Sequence, residues 1–157
     1  MQMKITVLAM MVAGVFSVLY AQEVSVLLKH KSGKDTRFVQ GVDNTLSVAD
    51  RAAAEQARVQ NGGSAHAGEV YFKKGVKTAS NRYITTGRIA VRFSDAGRID
   101  PAAFAGAHGL RYLGSVGEIA VFANTGTSDD LTQSNTLQQD AAVVYAAPDW
   151  VLPVKLY

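Results

Sequence analysis

The sequence contains no cysteine, which excludes thiolate chemistry and cysteine-ligated metals, and it contains three histidines that are candidates for acid–base or zinc chemistry. His30, His66 and His108 are far apart in the sequence, and no two of them have the spacing typical of zinc ligands. Ser64 lies two residues before His66 and forms with it a candidate nucleophile and base, but no third residue that would orient the histidine is evident. The sequence therefore predicts no metal site and no cofactor.

A second candidate for nucleophilic chemistry is the run Gly-Thr-Ser at residues 126–128, which resembles the short motif around the nucleophile of subtilisin-like enzymes. The residues that follow, Asp-Asp-Leu, do not continue that motif, and no segment carries the matching histidine and aspartate motifs. Thr127 or Ser128 is instead expected to cap a helix, with Asp129 and Asp130 in its first turn, where the helix dipole favours anions. We therefore expect a protein that has no catalytic residues and is not an enzyme.

The N-terminal segment, residues 1–21, has the pattern of a secretory signal peptide. Lys4 is its only charged residue, an apolar run follows over residues 5–20, and Ala21 precedes the polar Gln22. A membrane anchor is the alternative, since the apolar run is only slightly short for a spanning helix. We expect cleavage after this segment, which gives a secreted or periplasmic protein that is not attached to a membrane.

Charge is distributed unevenly along the rest of the chain. Residues 23–92 contain twelve Lys and Arg against six Asp and Glu, whereas residues 93–157 contain three against seven. A basic half can indicate a nucleic-acid partner, but an exported chain rarely meets nucleic acid, so none is expected. The basic half is then a solvated face, or the binding segment of a secreted structural or surface-binding module. The second interpretation is kept as an alternative function.

Residues 22–86 are predicted to form a β-rich N-terminal extension of unknown role. A helix is expected over residues 47–59, where Ser47 and Asp50 have the spacing of a capping box. A glycine-rich loop follows this helix. The segments with strand-like composition are residues 23–30, 36–39, 69–73 and 83–86.

Sharper patterns follow Gly87 and predict a second unit over residues 87–149. Apolar and polar residues alternate in RIAVRF, at residues 88–93, and Asp100 and Pro101 are a typical helix start. The remaining elements are expected as strands at 110–116, 119–123 and 142–146 and a second helix ending near residue 139. The order β-α-β-β-α-β predicts an α+β, ferredoxin-like module, with a four-stranded antiparallel sheet and two helices on one face. The other face of that sheet would be open to a partner.

The end of this unit carries a family pattern. Residues 140–151, DAAVVYAAPDWV, resemble the end of the propeptide of subtilisin-like serine proteases, the peptidase inhibitor I9 family. The segments GRIAVRFS and EIAVFA, and the strand between them, resemble earlier strands of that family. The resemblance covers residues 87–157. Ala146 and Ala147 stand where many relatives carry glutamate, and the tail after Asp149 is slightly longer than in the best-known propeptides.

The resemblance implies a secreted inhibitor and intramolecular chaperone of a subtilisin-like serine protease, bound in cis or in trans. In that family the sheet lies on two enzyme helices, and the C-terminal tail, here residues 150–157, occupies the active-site cleft as a product. Tyr157 would then fill the primary specificity pocket, and Val154 would lie four positions from the cut. Lys155 and Leu156 lie between them.

The resemblance also implies partner contacts at the end of the last strand. Asp149 would cap the N-terminus of an enzyme helix, and Tyr145, Pro148 and Trp150 would pack near that contact. The alternative is that Trp150 and the apolar residues after it form an edge strand that packs on the N-terminal segment.

Overall fold

A computed structural model of the chain describes residues 24–42, 44–62 and 64–152. Within them, one antiparallel sheet of seven strands carries three α-helices. No helix of these residues is long and apolar enough to cross a membrane. The strands are β1 (Ser25–Leu28), β2 (Thr36–Gln40), β3 (Ala67–Lys73), β4 (Arg82–Phe93), β5 (Leu110–Val116), β6 (Ile119–Asn124) and β7 (Val143–Val151). The helices are α1 (Val48–Gln60), α2 (Pro101–Ala107) and α3 (Asp130–Leu137), and a short 3-10 helix covers Ala79–Asn81.

The predicted four-stranded, ferredoxin-like module is wrong, because its strands belong to a sheet of seven and three helices pack on that sheet. The strand order is β1-β2-β3-β4-β6-β5, and β7 also pairs with β4. The segments predicted as separate strands at residues 83–86 and 88–93 are one strand of 12 residues, β4. The first part of β4 pairs with β3, the second part pairs with β6, and β7 pairs along the opposite edge. The N-terminal strands therefore continue the same sheet.

Gly87 is the residue at which β4 passes from one neighbouring strand to the next. Its φ is +74°, in the left-handed region that only glycine adopts without strain. A Cβ atom at this position would lie 1.7 Å from the Oγ of Ser64. Gly87, the predicted start of a second unit, lies inside one continuous strand and marks the bend of that strand.

The helix starts follow the local sequence closely. Ser47 and Asp50 form the predicted capping box of α1, in which each side chain accepts the backbone N–H of the other. Asp100 caps α2 ahead of Pro101, also as predicted. The cap of α3 is Asp129 rather than Thr127 or Ser128, because the carboxylate of Asp129 accepts both the N–H and the hydroxyl of residue 132. The helix begins at Asp130, later than a cap at residue 127 or 128 would place it, and it ends at Leu137, before the predicted end near residue 139.

Three apolar clusters lie on the sheet. The first is between α2, α3 and the strands β4 to β7, where Ile89, Phe122 and Leu137 are fully buried. The second joins β1, β2 and β3 to α3 and β7. The third is covered by α1, whose Ala54 and Ala57 pack on side chains of β3 and β4. At β3 both faces of the sheet are therefore covered, one by the second cluster and the other by the third.

The part of the sheet that is formed by β4, β6 and β5 has one exposed face. Residues Ile89, Val91 and Phe93 point into the first cluster, so the residues that alternate with them point to the opposite face. On β5 and β6 that face carries no residue of the three clusters that the described residues form, whereas Ala147 of β7, which pairs with Ala90, is buried in the second cluster. We call this exposed face the uncovered face, and define it by Arg88, Ala90 and Arg92 of β4, Arg111 and Leu113 of β5, and Val121 and Ala123 of β6.

Replacing Gly87 with alanine tests whether the bend in β4 limits stability. We expect Gly87→Ala to lower the free energy of unfolding by about 2 kcal/mol or more, since alanine is strained at positive φ and its Cβ would overlap Ser64. Denaturant unfolding of the full chain measures this. Gly106→Ala is the matched control: Gly106 lies inside α2 with open space around it, so alanine should stabilise by about 0.5–1 kcal/mol. Equal midpoints for the two variants would contradict this role of Gly87.

Candidate functional site

Half of the predicted partner-contact residues lie on β7, which pairs with β4 along most of its length. They are Tyr145, Pro148, Asp149 and Trp150. The other half, Val154, Lys155, Leu156 and Tyr157, lie outside the described residues. The structure therefore gives the position of the strand that leads into the tail. The strand β7 ends at Val151, and the side chains of Val151 and Leu152 are exposed.

Trp150 packs inside this chain. Its ring is stacked on Phe38 of β2 with a centroid distance of 5.1 Å. It meets the rings of Tyr83 and Tyr71 edge-on, at 5.6 and 5.9 Å. Aromatic pairs in these geometries contribute beyond their buried area, by about 0.5–1.5 kcal/mol each. Trp150 thus fixes the end of β7 on three other strands, which is the packing that the edge-strand alternative expects.

Pro148 and Asp149 immediately precede this anchor. Pro148 is buried opposite Ile89 in the pairing of β7 with β4. The main-chain carbonyl of Asp149 accepts a hydrogen bond from the hydroxyl of Thr86 at 2.6 Å. The carboxylate of Asp149 is half-exposed and has no hydrogen-bond partner or ion pair within the described ranges. It is therefore free to accept from backbone N–H groups of another protein, such as those at a helix N-terminus.

Tyr145 lies at the other end of β7, opposite Arg92 of β4. Its side chain is 40% exposed, and its ring is stacked on that of His30, with centroids 6.2 Å apart. Partial burial raises the pKa of its phenol. Tyr145 thus connects β7 with the end of β1 and still presents part of its ring to solvent.

The N-terminal strands are tied to α3 and β7 by polar contacts over very long sequence separations. The side-chain amide of Asn135 accepts from Lys29 N at 2.8 Å and donates to Leu27 O at 2.7 Å. Gln138 donates to the carbonyls of Lys29 and Ala146. Residues 25–40 are therefore part of the same folded body as β7. Sequence reasoning missed this contact, because nothing in the local patterns of either segment indicates it.

Lys31 shows that part of the basic charge of the N-terminal half is used inside the molecule. Its ammonium group donates to the carbonyls of Asp140, at 2.9 Å, and Val143. Arg82 is likewise engaged, in an ion pair with Asp50 at 2.8 Å that is largely buried. These cations hold elements together, which reduces the charge available to an anionic surface.

The three histidines are not brought together. His66 uses its ring Nε2 on the carbonyl of Gly126 at 2.8 Å, and the Oγ of Ser64 accepts from the backbone N–H of His66. Within the described residues the ring of His66 forms no hydrogen bond with the hydroxyl of Ser64, as a general base would with its nucleophile. The ring of His108 contacts Asp140, with 3.2 Å between Nε2 and Oδ2. Within the described ranges no group of three or more histidine, aspartate or glutamate side chains could hold a metal ion.

Among the aspartate and glutamate residues that the structure describes, Asp130 has the pKa that departs most from its ordinary value. Its side chain is fully buried, and its pKa is raised from an ordinary 3.8 to about 6, with burial as the largest cause. Hydrogen bonds from the backbone N–H of Gly87 and the side chain of Asn124, both at 2.9 Å, partly offset that shift. Burial also raises the pKa of Glu69, which accepts from the Tyr71 hydroxyl at 3.2 Å. Both carboxyl groups accept hydrogen bonds from groups of this chain and thereby connect parts of the fold.

Comparison of the chain with known protein families, with curated proteins and with solved structures found no match.

The pH dependence of stability tests the environment of Asp130. A carboxyl group whose pKa is raised by folding binds its proton more tightly in the folded state, so its unfavourable contribution is complete above about pH 6 and disappears toward pH 4. We expect Asp130 to make the free energy of unfolding rise by about 3 kcal/mol between pH 7 and pH 4. Chemical unfolding at several pH values should show that Asp130→Asn loses this part of the rise. The exposed Asp95→Asn should keep it, and an unchanged rise in Asp130→Asn would contradict the assignment.

Proposed function

We propose that this protein is a secreted, propeptide-like inhibitor and folding chaperone of a subtilisin-like serine protease, which it meets in cis or in trans. One observation of the structure carries the proposal: β7 is fixed on three other strands by Trp150 and leads directly into the tail. The sequence resemblance of residues 140–151 to the end of subtilisin propeptides supplies the family of the partner.

The tail would bind the protease by strand addition. An extended peptide gains main-chain hydrogen bonds in a cleft, and alternate side chains fill pockets. Tyr157 would fill the primary specificity pocket and Val154 an apolar pocket four positions from the cut, with Lys155 and Leu156 between them. Because Trp150, the first residue of the tail, is anchored on the sheet, the rest of the tail would lose less conformational freedom on binding than a free peptide does.

The folded body would contribute a second contact. The uncovered face is available to a partner, and the unpaired carboxylate of Asp149 stands next to the start of the tail. That carboxylate would cap the N-terminus of an enzyme helix, which is a charge-assisted contact. A body that binds the folded protease and not the unfolded one favours folding of the protease by mass action, which is how one chain would be both inhibitor and chaperone.

Removal of the tail tests the proposal. We expect the full chain to inhibit a subtilisin-like protease with a slow onset, and deletion of residues 152–157 to weaken inhibition by about 100-fold or more, since two or three filled pockets are lost. Progress curves of substrate hydrolysis measure both effects. Circular dichroism should show that the deletion leaves the folded body unchanged, because the described sheet ends at Val151.

A single substitution with a matched control sharpens this test. Val154→Asp should weaken inhibition about tenfold or more, since an acidic group would enter an apolar pocket. Val59→Asp makes the same chemical change on an exposed position of α1 and should have no effect. Equal inhibition by the tail deletion and the full chain would contradict the proposal. If the folded chain does not inhibit at all, the surface-binding alternative remains, and it predicts attachment to anionic surfaces that weakens steeply with salt.

A further inference from the structure

A row of three side chains crosses the uncovered face at the point where β4 bends. Arg88 of β4 and Arg111 of β5 both pair with Ala123, which lies on the strand between them. Directly paired residues of a sheet lie on the same face, so the three side chains form one row. Neighbouring strands are about 4.8 Å apart, which puts the two arginine Cα atoms about 10 Å apart with only a methyl group between them.

The arginine row lines a pocket of about 490 Å³ at the C-terminal end of α1. Asn61 and Ser64 also line it, and none of the lining residues within the described ranges is acidic. Its volume is in the range of pockets that hold a small ligand or a single side chain. The pocket is therefore a small site that combines apolar and polar groups with two positive charges.

The two guanidinium groups differ in how they are held. Arg88 is half-buried, and its Nη2 donates to Asn61 Oδ1 at 2.5 Å. Arg111 is exposed and forms no hydrogen bond or ion pair with the part of the chain that the structure describes. Arg88 is thus a fixed donor, and Arg111 is a donor whose partner is still to be supplied.

Two acidic residues, Asp130 and Asp149, contact residues that line this pocket, and neither carboxylate supplies that partner. Asp130 accepts from Gly87 N with one carboxylate oxygen and from Asn124 Nδ2 with the other. Glu118, in the turn between β5 and β6, pairs with Arg92. None of the carboxylates of Asp130, Asp149 and Glu118 forms a hydrogen bond with the arginine row within the described residues.

We propose that this pocket is a carboxylate-binding site that receives an acidic side chain of the protease. Guanidinium groups bind carboxylates through two parallel hydrogen bonds, and the row offers one guanidinium on either side of Ala123. The inference rests on the proposed function, because the uncovered face to which the pocket belongs is the face that the protease would contact. The site adds a charge-dependent contact to that of the tail.

Reversal of one charge in the row tests the site in the complex. At low salt, Arg111→Glu should inhibit the protease about 30-fold more weakly than the unsubstituted full chain, and the difference should shrink at high salt. Arg98→Glu is the matched control, since Arg98 is exposed, does not line the pocket and forms an ion pair with Asp95. Equal inhibition by Arg111→Glu and the unsubstituted chain at low salt would overturn the inference.

Titration of the full chain with glutarate tests the pocket without the protease. We expect glutarate to shift the backbone amide resonances of Arg88, Arg111 and Ala123, and Arg111→Ala to abolish most of that response. The neutral glutaramide should give no response. If the chain does not inhibit but glutarate gives this pattern, the proposed function fails and the carboxylate site stands. Shifts that persist in Arg111→Ala, or that glutaramide reproduces, overturn the site.

Discussion

The hydrogen bond from the Gly87 amide to the buried carboxylate of Asp130 is the interaction on which the arrangement of this molecule depends. Gly87 bends β4 so that one strand pairs in turn with β3 and β6. Asp130 also accepts from Asn124, the last residue of β6, and is itself the first residue of α3. One carboxylate therefore ties together a strand bend, a strand end and a helix start, at the energetic cost of burying an acid.

Because β4 is continuous, the N-terminal strands and the C-terminal strands form one body. Trp150 and the amide of Asn135 then fasten β7 and α3 to strands more than 100 residues away in sequence. The structure thus makes β7 a rigid support for whatever follows it. This rigidity is what gives the proposed inhibitor its physical basis, since an anchored tail binds with a smaller loss of conformational entropy than a free one.

The sequence predicted the features that depend on neighbouring residues. The features that depend on contacts between distant segments were not predicted. The capping residues Ser47 and Asp100 and the alternation of residues 88–93 were sufficient to predict two helix starts and a strand. The continuous strand β4 was not predicted, because a glycine between two strand-like segments, here Gly87, indicates a boundary as readily as a bend. The arginine row could not be predicted, because it depends on the register of three strands, and the cluster around Trp150 depends on contacts between distant segments.

The most direct test of the account is the affinity of the full chain for a subtilisin-like protease whose catalytic serine has been replaced, with the active-site cleft first free and then filled by a tightly bound peptide inhibitor. The account predicts a complex with the free protease at submicromolar concentration, and the loss of most of that affinity when the cleft is filled, since the tail must enter it. Absence of binding, or the same affinity with the cleft filled, would contradict the account.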